Sequence, residues 1–358
     1  MKDYLAIFCL TNLGDSVILS PCISALSENL NDIKLVLVAK PSVCELYEHD
    51  KRITYFIPYT CSWFPGPEGR HDGWFGFWNT VRSLRKLKCK VGLNTASDIR
   101  TNLLARLGGL HRLISAYARH GNWLSTTMVA PELISQHESE RQLELASALI
   151  KKKLSYYPIN IQISTEDEHL ANKLFKEIKN TDRPLVAIHP GANVEFKSWP
   201  LNRFAEVGNF LVKSKNCRIA VLGAPGTETK LAKELSEHIG SEAVNLAGRT
   251  PVRILLSFLK LCDLYVGNDS GIMHLSAAAG CPTVAIFGAT NPYRFGPYLP
   301  GDMKCVVLSP LFSFDVIGKA REKGKEMLDA VTTGMVVSAI DEVWPRVLKK
   351  HMVTRRMV

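Results

Sequence analysis

Asp15 stands just past the first apolar run of the chain, in the segment TNLGDSVILSPCISAL from Thr11 to Leu26. Gly14 permits a tight turn, and a helix is expected to begin near Asp15 or Ser16 with its free N–H groups favouring an anion. Two readings of Asp15 stand open. Asp is among the best N-capping residues, and a carboxylate at the end of a first strand is also where a general base would face a substrate crevice. Pro21 falls inside the expected helix and should kink it or delay its regular part.

A second group is HPGANVEFKSWPLNRFAEV, His189 to Val207. A strand ends at His189, Pro190-Gly191-Ala192-Asn193 turns the chain, and Lys197 precedes the next helix. Small residues, free N–H groups and one ammonium suit a diphosphate; the plain alternative is a solvated loop lysine. A third group, VGNDSGIMHLSAAAGCPTVAIFGATNP, runs from Val266 to Pro292. Ser270 and Gly271 open a helix whose unencumbered start is a ready phosphate site. Asp269 either caps that helix or accepts hydrogen bonds from ribose or sugar hydroxyls. His274, one turn in, is either a buried structural imidazole or part of the anion site. Glu228, in LGAPGTE, either grips ribose hydroxyls or is a first-turn acid favoured by the helix dipole. The fingerprints GxGxxG and GxxxxGK[ST] are absent. There is no D-x-D, the usual carboxylate pair for a metal-bound nucleotide sugar, so neither a metal nor a cofactor is expected.

The elements that must position these residues alternate. Short apolar runs at 4–10, 34–39, 53–58, 89–94 and 112–117 read as buried strands, with helical patterns at 16–30, 77–87, 99–108 and 139–152. Residues 60–76, rich in Gly, Pro and aromatics, read as a long surface loop. A second series begins at strand 184–189 and continues through helix 201–213, strand 217–223, helix 227–238, a short strand near Val244, helix 252–261, strand 264–267, helix 271–279 and strand 283–287. This is α/β patterning with parallel sheets, and it predicts two Rossmann-like, doubly wound domains. Their expected limits are 1–165 and 166–335, with a C-terminal helix and tail at 336–358. If the two sheets face each other, their crevices merge into one cleft.

At 358 residues with 46% hydrophobic residues, the chain is large enough for two cores. No run of 18 uncharged apolar residues occurs, so no membrane span is expected. The apolar start is read as a strand and not as a signal peptide. Nine cysteines include no CxxC pair, which argues against zinc, redox pairs and a disulfide framework and for buried thiols in a cytosolic protein. The net charge is +10, with local concentrations at Arg82–Lys90 and Arg346–Arg356. These are solvated faces or attract an anionic partner such as phosphorylated lipid or a membrane surface. Nucleic acid is not expected, since no reading module appears.

Taken in order, GDSVILSPCISAL, HESERQLELASAL (His137 to Leu149), HPGANVEFKSWP, LGAPGTE and VGNDSGIMHLSAAAGCPTVAIFGATNP resemble glycosyltransferase family 9, the ADP-heptose:lipopolysaccharide heptosyltransferases. The resemblance covers most of the chain. It implies a GT-B fold, with acceptor on the N-terminal domain and nucleotide sugar on the C-terminal one, and inversion at the anomeric carbon without a bound metal. Asp15 matches the family's catalytic base, and Lys197 the lysine that neutralises the donor diphosphate. Glu228 resembles the acid near the ribose. Asp269, Ser270, Gly271 and His274 match the donor-binding D-[ST]-G-x-x-H segment. Gly14, Arg100 and Arg119 are expected on the acceptor side. The implied partners are ADP-heptose and an anionic, lipid-linked acceptor of the lipopolysaccharide core, met in the cytoplasm or peripherally on the inner membrane. Another nucleotide sugar or glycan acceptor, or a non-catalytic nucleotide-sugar-binding protein, is the alternative.

Overall fold

The computed structural model describes residues 3–30, 32–66, 69–96, 98–116, 122–129, 136–178, 182–299, 303–314 and 319–357. The chain divides into two compact units, Met1–Gln162 and Ile163–Val358.

In the first unit, β1 (Asp3–Cys9), β2 (Ile33–Ala39), β3 (Ile53–Pro58), β4 (Val91–Asn94), β5 (Arg112–Ala116) and β6 (Thr127–Val129) form one sheet ordered β3-β2-β1-β4-β5-β6. Every pairing is parallel. Parallel strands are covered on both faces, so their sequences run apolar without alternation. Leu5 through Leu10 are accordingly all buried.

The second unit repeats the plan. Strands β7 (Leu185–His189), β8 (Arg218–Val221), β9 (Ala243–Asn245), β10 (Leu264–Asn268), β11 (Thr283–Phe287) and β12 (Lys304–Leu308) are ordered β12-β11-β10-β7-β8-β9, again all parallel. In both sheets the winding reverses beside the first strand, between β1 and β4 and between β7 and β10. Ligands of open α/β sheets bind at the carboxyl ends of the strands at such a reversal. The two doubly wound units expected from the sequence are therefore present, and each has one such point.

Several local expectations are corrected. The first helix spans Leu13–Asn29, starts earlier than expected and runs on through Pro21. The aromatic stretch read as the end of a loop is helical from Gly73, because the apolar stripe of the helix Gly73–Leu87 needs that first turn. Its N-cap Asp72 also closes the preceding loop, accepting from the N–H of Thr60 at 2.7 Å. The helix Thr333–Met357 lies on β11, β12 and the helix Leu201–Lys215. Its Val336, Ile340, Val343 and Val347 recur at helical spacing in the core of the second unit. His351 fixes the far end, one ring nitrogen 3.0 Å from the buried carboxylate of Asp263. All nine cysteines are free thiols. Among the described residues no helix is long and apolar enough to cross a membrane.

Candidate active site

At the reversal point of the second sheet, β7 ends in His189 and the adjacent β10 ends in Asn268. Asn268 is fully buried. Its side chain donates to the carbonyls of Pro190 at 2.9 Å and Gly191 at 3.2 Å, and accepts from the N–H of Trp199 at 3.1 Å. One amide thus ties the turn after β7 to the segment that carries Lys197. Trp199 anchors that segment further, its indole N–H donating to the carbonyl of Val331 at 2.9 Å. Lys197 closes a short 3₁₀ turn, Glu195–Lys197, and its Nζ lies 2.6 Å from Oδ2 of Asp269.

Asp269 does not cap the following helix, Gly271–Ala278. Ser270 is the N-cap, its Oγ accepting from the N–H of Met273. That leaves the Asp269 carboxylate turned to Lys197 and buried to 8% exposure. His274 lies one turn into the helix and is buried.

His189 joins the remaining candidates. Its Nε2 is 3.0 Å from Oε2 of Glu228 and its Nδ1 is 3.1 Å from Oγ of Ser270. A carboxylate only accepts, so in the neutral ring Nε2 carries the proton and Nδ1 accepts the Ser270 hydroxyl. Oε2 of Glu228 also accepts from the N–H of Ala224 at 2.6 Å. Burial pushes the Glu228 carboxyl up, but the His189 and Ala224 hydrogen bonds outweigh it and hold the group below its usual range. Gly191 leaves room for this carboxylate, since a Cβ there would stand 2.4 Å from Cδ of Glu228 and push it aside. The structure brings Lys197, Glu228, Asp269, Ser270 and Gly271 to one reversal point. Two cationic or N–H-rich features and two hydrogen-bonded carboxylates there can hold a diphosphate and adjacent hydroxyls.

In the first unit Asp15 is not the N-cap of its helix. Asn12 is, and Asp15 occupies the third helical position, where its Oδ2 accepts from the N–H of Asn12 at 3.0 Å. Gly14 is buried in the same turn. Lys40, at the end of β2, donates to Oδ1 of Asn12 at 3.2 Å and to the carbonyl of Pro65 at 3.0 Å. Burial lowers the pKa of Lys40, against the opposing influence of Cys61 and Asp15. Beyond β4, Thr95 donates to the carbonyl of Phe8 at 2.9 Å, and Arg141 braces Thr95 from the HESER segment at 2.8 Å while paired with Glu138. Arg100 is engaged with Asp98, Nη2 to Oδ2 at 2.7 Å, and its guanidinium lies over the ring of Trp63. Arg119 lies outside the described residues.

The sequence alone assigns no site role to His189, Asn268, Lys40 or Arg141. Three of them are polar residues that close apolar strand runs, and that position was their signal. Among the described residues no group of three or more His, Cys, Asp or Glu side chains could hold a metal ion.

Residues 78–311 match the family model described as glycosyltransferase family 9 (heptosyltransferase). The chain is similar to lipooligosaccharide heptosyltransferase 2 of Haemophilus influenzae, 31% identical over 145 residues, which is 38% of this chain and 41% of that protein. Aligned stretches cover about half the length, or less, of the first curated relatives. Solved structures agree over the whole chain. A glycosyl transferase family 9 protein from Veillonella parvula matches with TM-score 0.78 and 21% identity, over 98% of this chain and 99% of that one. The ADP-heptose LPS heptosyltransferase II of Escherichia coli matches with TM-score 0.74 and 18% identity, over 97% and 99%. The fold is GT-B, and the chain belongs to glycosyltransferase family 9.

Proposed function

We propose that the protein is an inverting, metal-independent heptosyltransferase that moves a heptose from ADP-heptose to an anionic, lipid-linked acceptor of the lipopolysaccharide core at the cytoplasmic face of the inner membrane. The observation that carries this reading is the gathering of Lys197, Asp269, Ser270, His189 and Glu228 at the reversal point of the second sheet. The donor assignment draws support from the E. coli relative named for ADP-heptose.

In this reading the second unit holds the donor. Glu228 accepts from ribose hydroxyls, held as a carboxylate by His189 and Ala224. Lys197 and the N–H groups at Ser270-Gly271 take the diphosphate, and Asp269 takes sugar hydroxyls. His274 supports the same helix start. The first unit holds the acceptor, with Gly14, Arg100 and Arg119 as the residues assigned to it. As an acceptor oxygen bonds to the anomeric carbon, the carbon–oxygen bond to the diphosphate breaks, ADP leaves with that electron pair, and Asp15 takes the acceptor proton. Lys197 and the helix start supply the charge that a metal supplies elsewhere, in a preorganised site.

Purified protein given ADP-heptose and a truncated lipopolysaccharide core acceptor should release ADP and form one anomer, opposite in configuration to the donor. Retained configuration, or no transfer with ADP-heptose while another nucleotide sugar is consumed, would overturn the assignment.

A further inference from the structure

The helix Gly73–Leu87 buries one side and leaves the other uncovered. Phe77, Thr80, Val81 and Leu84 are its buried residues, three and four apart, as a helix lying on a sheet requires. On the opposite side Trp74 is 73% exposed, Phe75 76% and Trp78 38%. The aromatics form a cluster, with Trp74 stacked on Phe77 at 5.6 Å and edge-on to Trp78 at 5.8 Å. Further along the same exposed side come Arg82, Arg85 and Lys86, with Lys88 and Lys90 just beyond. Residues 73–90 contain these five cations and no acidic residue. Tyr55, Phe75, Asn79 and Lys86 also line a surface cavity of about 830 Å³ next to this side.

Large apolar side chains are rarely grouped on a surface that meets only water. Charge selects the occupant. A face of aromatics with five Lys and Arg residues, and with Asp72 at its start, matches an interface whose outer layer is anionic and whose next layer is apolar, which is how amphipathic helices lie in a bilayer surface. Cations in such a helix meet lipid phosphates, and indole rings settle at the headgroup level. We infer that this face of Gly73–Leu87 seats the protein on an anionic lipid bilayer, with Trp74, Phe75 and Trp78 in the headgroup layer and the cations from Arg82 to Lys90 against lipid phosphates. The helix belongs to the first unit and the nucleotide site to the second, and the inference stands without the transferase reading.

Co-sedimentation with vesicles tests it. The wild-type chain should bind vesicles of phosphatidylethanolamine and phosphatidylglycerol at least about tenfold more strongly than vesicles of phosphatidylcholine alone, given five cations near the surface. Added salt should weaken the binding, since exposed charges are screened over about 8 Å at physiological ionic strength. The pairs Trp74→Ser with Phe75→Ser, and Arg82→Glu with Lys86→Glu, should each lower it by about tenfold or more. ADP binding by the second unit and the unfolding temperature should stay at wild-type values. Phe75→Ser alone replaces the aromatic pair if that pair unfolds. Equal binding to neutral and anionic vesicles, or wild-type binding by the variants, would overturn the inference. So would a wild-type dimer that ignores vesicles and is split by the same substitutions, which would make the face an interface between two copies.

Discussion

Lys197 and Asp269, 72 residues apart in the chain, meet with Nζ 2.6 Å from Oδ2. The pair exists only because β7 and β10 are neighbours, so that the turns leaving them converge. The ammonium assigned to a diphosphate is thus already aimed by a carboxylate that is 8% exposed. Under the proposed function, substrate phosphate meets a lysine whose orientation is set before binding, which lowers the ordering cost of association.

Lys197→Ala should weaken ADP binding by roughly 1.5–3 kcal/mol, the range for hydrogen bonds to charged groups. It also leaves Asp269 without this partner, so the unfolding temperature should fall. Adding Asp269→Asn should restore part of the stability and none of the affinity. Calorimetric titration of the two variants checks this, and unchanged affinity in Lys197→Ala would remove the lysine from the site.

Gly191→Ala tests Glu228 without touching it. The added methyl would sit 2.4 Å from Cδ of Glu228, so the carboxylate must turn away. The expected loss in ADP affinity is again about 1.5–3 kcal/mol, matching that of Glu228→Ala. Wild-type affinity in Gly191→Ala would show that the carboxylate has no hold on the nucleotide.

Much of this site is legible in the sequence, and what is not has physical causes. Buried parallel strands announce themselves as apolar runs, so β1, β2, β7, β10 and β11 were plain. The edge strands β6 and β12 are short or only half-buried, and carry no such signal. By residue type Asp15 and Asp269 could each cap a helix, but Asn12 and Ser270 do so, one residue type being as capable as the other. The roles of His189 and Asn268 are not legible in the sequence because they depend on partners brought by strand order. Sequence spacing cannot show that Asn268 reaches Pro190, Gly191 and Trp199.

The pH dependence of donor binding should follow Glu228. Its folded-state pKa is depressed, so its contribution is complete above the ordinary carboxylate range and is lost as pH falls through the lowered value. His189→Leu removes the imidazole that holds the group down and leaves burial to push it up. The acid limb of ADP binding should therefore move to higher pH. Superimposable acid limbs for wild type and variant would show that the His189–Glu228 hydrogen bond does not set it.

Charge on the leaving group is assigned to Lys197 and backbone N–H groups, so transfer should survive EDTA. Complete loss of turnover that magnesium restores would contradict that assignment.

The catalytic role given to Asp15 is the central claim. Its carboxylate accepts the N–H of Asn12 as the return arm of a helix cap, and an Asn side chain at the same place can accept that bond too. Asp15→Asn therefore keeps the local structure and removes the base. Initial rates of transfer from ADP-heptose should fall by at least about 100-fold, the lower bound for general-base assistance, with ADP affinity and unfolding temperature unchanged. Turnover by Asp15→Asn near the wild-type rate would contradict the account and leave Asp15 a structural residue of its helix.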